Sequence, residues 1–231
     1  QEINDLANDA DVVGIDEAQF FDDSIIDLVK DLEKAGAHII AIKDMAGLAK
    51  PNAIKKLVNE IKQTTDLPIH FHTHDTSGTS SASVLAAIEE KVDIVDLAID
   101  SMSGLTSQPA LGSIVSIMKQ NHQDPKLDEE AIRTLSLYWE QVRQNYNAFE
   151  TDFKGGSSDV YLHQMPGGQF TNLKAQAKSL GIKMTAIGVG RDTFSATSIA
   201  SNLKYLGYDK VLAVSRLPDI PNRVLSILSD N

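Results

Sequence analysis

The sequence predicts an α/β fold: partial TIM-barrel-like βα units, then a helical segment, then a C-terminal βαβα segment. Short apolar runs recur near 11–15, 38–43, 67–72 and 92–99, each followed by a stretch of helical periodicity. Runs that are apolar on both faces suit parallel strands covered by helices. The spacing of about 25–30 residues per unit fits a βα-barrel, although eight such units need about 250 residues.

Residues 1–36 form an acidic strand-helix segment, in which Asp22, Asp23 or Ser24 can cap a helix with Ile25, Val29 and Leu32 on one face, ended by Gly36. Residues 37–120 hold barrel-like βα units that carry the candidate metal site. Pro51 opens the second helix, with Ile54, Leu57, Val58 and Ile61 inward. Residues 121–182 read as helical. A long helix from Leu127 to about Thr151 carries Ile132, Leu135, Trp139, Val142, Tyr146 and Phe149, an aromatic stripe expected to be core. Residues 183–231 read as strand, helix, strand, helix, with Ile199 and Leu203 on the first helix, a strand at Lys210–Val214 and Pro221 opening the last helix. Gly188-Val189-Gly190 before a helix hints at an anion-binding turn. The third glycine of the dinucleotide pattern is missing, since Thr193 stands there, so a tight strand-to-helix turn is the plainer reading.

The net charge of −11 is concentrated at the front, where residues 1–34 contribute −9. A solvated acidic face explains that run. No basic patch supports nucleic-acid binding, and an acidic front repels phosphates and anionic lipid. Without cysteine, a disulfide framework, a thiolate nucleophile and a cysteine-zinc cluster are all excluded. That composition suits a reducing cytoplasm, and no run is long enough to span a membrane.

The chemistry-bearing run is Ile69-His70-Phe71-His72-Thr73-His74-Asp75. His72 and His74, one residue apart at the end of a strand, point to the same side and can share one ion. A parallel neighbour ending in Lys43-Asp44 would bring Lys43 beside them. Solvated loop histidines are the alternative, and a lysine ammonium has no lone pair to offer. It ligates only when deprotonated or converted to an anionic carbamate by carbon dioxide. His70 has the same parity but is expected to point to the other side, which requires the strand to start late or twist away.

Ile42-Lys43-Asp44-Met45-Ala46-Gly47-Leu48, the His72-Thr73-His74-Asp75-Thr76-Ser77-Gly78 run, Ser101-Met102-Ser103-Gly104-Leu105-Thr106-Ser107-Gln108-Pro109, Tyr138-Trp139 and Met165-Pro166-Gly167-Gly168-Gln169-Phe170-Thr171-Asn172-Leu173 resemble the carboxyltransferase domain of pyruvate carboxylases. The resemblance covers about residues 24–182. It implies a divalent metal held by carbamylated Lys43, His72 and His74, with manganese or zinc the better match to imidazole. It also implies transfer of carboxyl from carboxybiotin to pyruvate, giving oxaloacetate, with biotin carried by another domain or chain. The implied partners are pyruvate and the biotin carboxyl carrier and biotin carboxylase modules, and association into a homo-oligomer is left open. No nucleic acid, membrane or bound nucleotide cofactor is implied.

The departures are equally informative. The family's fourth ligand, an aspartate in an Arg-Asp-Ala-His-Gln run, has no counterpart here, and its pyruvate-gripping arginine lies on another strand that is missing. Its proton-shuttling threonine belongs to a Val-Thr-Pro-Ser-Ser-Lys run, also absent; Thr171 sits in a different motif. Catalytic residues therefore remain unassigned. Ala10–Asp22 instead resembles the Asp-Glu strand of thymidine kinases, which would make Glu17 a general base and Asp16 a metal-proximal carboxylate. No glycine-rich phosphate loop accompanies it, and a strand ending in a solvated acidic turn, packed beside the 38–43 strand, is the plainer expectation. Three functions follow: a partial carboxyltransferase domain, an inactive fragment or chimaera, and, lowest, a nucleoside kinase-like protein.

Overall fold

A computed structural model describes residues 24–121, 123–150, 155–165, 167–168, 176–177, 179–205 and 208–229. The expected strand near 11–15, with Asp16 and Glu17, lies outside these residues, as does most of the 165–173 motif. Contacts divide the chain into one unit ending at Val160 and another beginning at Tyr161.

In the first unit, α1 (Ser24–Lys34) buries Ile25, Val29 and Leu32 along one stripe. Gly36, at φ +94°, takes the left-handed conformation that stops it. β1 (Ile40–Asp44) follows, then α2 (Pro51–Lys62), opened by its proline and burying Ile54, Val58 and Ile61. Next come β2 (Ile69–Thr73), α3 (Ser80–Glu89) and β3 (Ile94–Val95). The strands are parallel in the order β1-β2-β3, with Lys43 opposite His72 and Phe71 opposite Val95. Ile40, Ile42, Ile69 and Phe71 alternate onto one face and join Ile54, Val58, Ile61, Val84 and Ala87 in a single core. Ala41, Lys43, His70 and His72 take the opposite face.

β3 is shorter than the apolar run at 92–99 suggested. Past Val95 the chain leaves β2, and Ala98 bridges to Ala110 instead. That bridge leads into α4 (Leu111–Gln120) and then α5 (Glu129–Asn145). Asp128 caps α5 by accepting the Glu130 and Ala131 N–H groups at 2.9 and 3.2 Å. The aromatic stripe on α5 is not core. Ile132 is buried, but Leu135, Trp139 and Tyr146 are exposed, because among the described residues α5 packs mainly along the side that meets α4 and the 3-10 turn Asp100–Met102.

The second unit contains β4 (Thr185–Val189) and β5 (Lys210–Val214), paired in parallel. The short α6 (Val160–His163) straddles the division between units, α7 (Thr193–Tyr205) joins the strands, and α8 (Ile220–Ser229) follows β5. Gly188 and Gly190 are there for packing. A Cβ on Gly188 would stand 2.8 Å from Ala200 N, and one on Gly190 would collide with the Ala196 backbone. Asp192, whose carboxylate accepts the Ser195 N–H at 2.7 Å, occupies the helix start where an anion would bind. The tight-turn reading of this segment therefore holds. Among the described residues no helix is long and apolar enough to cross a membrane.

Candidate metal centre

The site begins with a buried acid. Asp44 is fully buried at the end of β1, and its carboxylate accepts the Leu48 and Ala49 N–H groups at 2.9 and 2.8 Å and the Thr73 hydroxyl at 3.1 Å. These bonds curl the loop after β1 beneath the end of β2. His74 N–H reaches Asp44 O at 3.1 Å, extending the β1–β2 pairing one step past the strand. Gly47, at φ +67°, passes so close to His74 O that a Cβ there would collide with it.

Lys43 lies directly across from His72, and its charge is felt at His74. The structure thus brings the three sequence-predicted residues to one end of one sheet face. His72 Nδ1 is 2.6 Å from Asp96 Oδ2, and His74 Nδ1 is 2.6 Å from the Thr106 carbonyl oxygen. Both acceptors require the ring to donate, so each Nδ1 carries the proton. The two Nε2 atoms, left with their lone pairs, face each other at 3.1 Å. For two neutral rings this is unfavourable unless a proton or a cation sits between them. Nitrogens each about 2.1 Å from one ion stand roughly 3.0–3.4 Å apart, so the donor pair fits a shared metal.

Burial above all holds the His74 imidazole below its usual range; the Thr106 carbonyl opposes this, and the charges of His72 and Lys43 add to it. A ring kept neutral retains its lone pair for a ligand. Burial pushes Asp96 up, but the hydrogen bond from His72 and the contact with His70 outweigh it and leave the carboxyl below the ordinary range. Asp75 goes the other way, raised by burial despite accepting the Ser80 N–H at 3.0 Å.

His70 does not turn away. It occupies the same face as His72, with Nε2 2.9 Å from Asp96 Oδ1 but poorly aligned for a hydrogen bond, because an unbroken strand keeps residues of equal parity together. Sequence reasoning missed Asp96 and the Thr106 carbonyl. Asp96 sits inside the apolar run at 92–99, and its place beside His72 follows only once β3 ends at Val95 against β2. The Thr106 carbonyl had no side-chain signal. Among the described residues no three His, Cys, Asp or Glu side chains gather as a metal-holding group.

Comparison with known proteins extends this geometry. The HMGL-like family matches residues 2–138, a span that takes in the Ala10–Asp22 run, and a conserved carboxylase domain matches residues 160–188, a little past the limit expected from sequence. Pyruvate carboxylase of Bacillus subtilis is 48% identical over 155 residues, covering 67% of this chain and 14% of that protein. The Staphylococcus aureus pyruvate carboxylase is 50% identical over 157 residues, covering 68% of this chain and 14% of that protein. The chain thus spans about one seventh of the curated relatives it matches. The carboxyl transferase domain of Rhizobium etli pyruvate carboxylase, solved with pyruvate and biocytin, superposes with a TM-score of 0.65 at 61% identity, covering 68% of this chain and 27% of that one. The same domain solved with 3-bromopyruvate gives a TM-score of 0.65 at 62% identity, covering 68% of this chain and 26% of that one.

Proposed function

The chain belongs to the HMGL-like family, and from that premise we propose that it forms part of a pyruvate carboxylase-type carboxyltransferase domain, which moves carboxyl from carboxybiotin to pyruvate to give oxaloacetate. The observation that carries this reading is the pair of imidazole Nε2 atoms facing each other at 3.1 Å with both Nδ1 atoms already committed. His72 and His74 would hold a divalent ion, manganese or zinc, and Lys43 would join them as its carbamate, since its ammonium form repels a cation. When bound, the ion supplies Lewis-acid stabilisation of negative charge on the keto oxygen of pyruvate. His72 and His74 would contribute their Nε2 atoms, since the Nδ1 atoms already meet Asp96 and the Thr106 carbonyl. Asp44 fixes the loop that positions His74. The sheet face bearing Lys43 and His72 lies opposite the helix-packed core, at the C-terminal strand ends where barrels place their sites.

Biotin would arrive on a carrier module of another domain or chain, with a biotin carboxylase module and further copies of the chain as the remaining partners, and the cytoplasm as the compartment. The proposed organisation is 1–36, 37–120, 121–182 and 183–231. Metal content decides the reading. The purified chain, incubated with bicarbonate and manganese or zinc and then dialysed, should retain about one ion per chain. His72→Ala combined with His74→Ala should retain none. Equal retention by both proteins, or by neither, would remove the basis for the proposal.

A further inference from the structure

Building on the metal reading above, we propose that Asp96 is a positioning residue of this site: its carboxylate holds the His72 ring in the Nδ1–H tautomer and at the angle that turns Nε2 toward His74. Asp96 directly follows β3, and its N–H reaches Phe71 O at 3.2 Å, which fixes it beside the strand that carries His72. From there Oδ2 meets His72 Nδ1 at 2.6 Å while Oδ1 lies 2.9 Å from His70 Nε2. A carboxylate spanning two rings has little freedom to rotate. The Asp96 side chain keeps 39% exposure, enough to stay ionised and to make a charge-assisted bond.

His74 reaches the same tautomer by a different route. Its Nδ1 donates to a backbone carbonyl in the turn where Gly104 and Leu105 both adopt positive φ, +82° and +54°. One ring is therefore fixed by a backbone acceptor and the other by a side chain. A surface Asp–His pair serving only stability would be worth little and would demand no particular ring orientation. Here the orientation is what makes the two lone pairs meet. Carboxylates that orient a metal-bound histidine typically contribute 10- to 100-fold to metal affinity.

The test uses the full 231-residue chain, Asp96→Leu and Asp96→Asn, with nitrogen-15 spectra of the imidazoles in metal-free protein and titration with zinc or manganese alone. Metal-free wild type should show His72 as the Nδ1–H tautomer. Asp96→Leu should shift His72 toward the Nε2–H tautomer, leave His74 unchanged, and weaken metal binding about 10- to 100-fold. Asp96→Asn keeps an acceptor without its charge, so the His72 Nδ1–H resonance should move upfield with a smaller loss of affinity. An unchanged His72 tautomer in Asp96→Leu, or affinity within about twofold of wild type, overturns the proposal. Should Asp96→Leu fail to fold, an unmoved His72 resonance in Asp96→Asn overturns it instead. The ring spectra decide the role of Asp96 even where wild type takes up no metal, an outcome that would count against the metal reading alone.

Discussion

Asp44 shows how one side chain can serve the site without touching a ligand. Its carboxylate is fully buried and satisfies two backbone donors and a hydroxyl, so removing it strands the Leu48 and Ala49 N–H groups away from water. Asp44→Ala should destabilise the chain by about 3 kcal/mol, read from the midpoint of urea unfolding; a loss below about 1 kcal/mol would mean the loop satisfies itself in another way. Gly47 acts on the same loop through space and φ. Gly47→Ala combines a left-handed alanine with a Cβ against His74 O, and should cost about 2 kcal/mol while also weakening metal retention as His74 is pushed from its place. Unaltered retention in a destabilised Gly47→Ala protein would uncouple the loop from the site. That His72 and His74 share a side was legible because strand alternation is a property of neighbouring residues, while the place of Lys43 rested on the expected pairing of β1 with β2. Asp96 required knowing that β3 lies against β2, and the Thr106 carbonyl has no side-chain signature.

At the scale of elements, boundaries followed local chemistry: Pro51 opened α2, Asp128 capped α5 and Gly36 stopped α1. What failed was set by tertiary partners. The run at 92–99 looked like one strand, yet only Ile94–Val95 pairs with β2 before Ala98 finds Ala110. The stripe on α5 looked like core, yet a helix face is buried only where another element covers it. The β2–β3 junction is instead held by polar groups. Asp93 accepts the Ile69 N–H at 2.8 Å and the Lys62 ammonium at 2.6 Å. Burial alone would raise its pKa, but these bonds outweigh it and hold the carboxyl below the ordinary range. A carboxyl with a depressed folded-state pKa contributes stability above about pH 4, the unfolded value, and loses it as pH falls through the lower folded value. The stability gap between wild type and Asp93→Asn should therefore be widest near neutral pH and shrink below about pH 4. Urea midpoints that differ equally at pH 7 and pH 3 would contradict this.

At the scale of the molecule, the described strands give one parallel sheet of three and one of two, whereas a closed barrel has eight. The α/β class and the barrel-like units were legible from the spacing of apolar runs, because that spacing records how long one strand-helix unit is. Closure was not, since it depends on how many units meet. This governs the last prediction: the 231-residue chain alone should not carboxylate pyruvate at a useful rate. Turnover needs the substrate carboxylate anchored and a proton passed between pyruvate and biotin. Arg143 is committed to Ser101 O and Glu150, and Arg216 to Asp219, so neither is free to anchor that carboxylate. The face beside Lys43 is open enough that Ala41 is exposed, so water can protonate an enolate before carbon dioxide reaches it. Losing orientation and an acid-base group together costs several orders of magnitude. Oxaloacetate formation from pyruvate and carboxybiotin should therefore match the combined His72→Ala and His74→Ala control, even in protein that retains its metal. Turnover well above that control would mean that residues of this chain outside the histidine site supply both the carboxylate anchor and the proton relay.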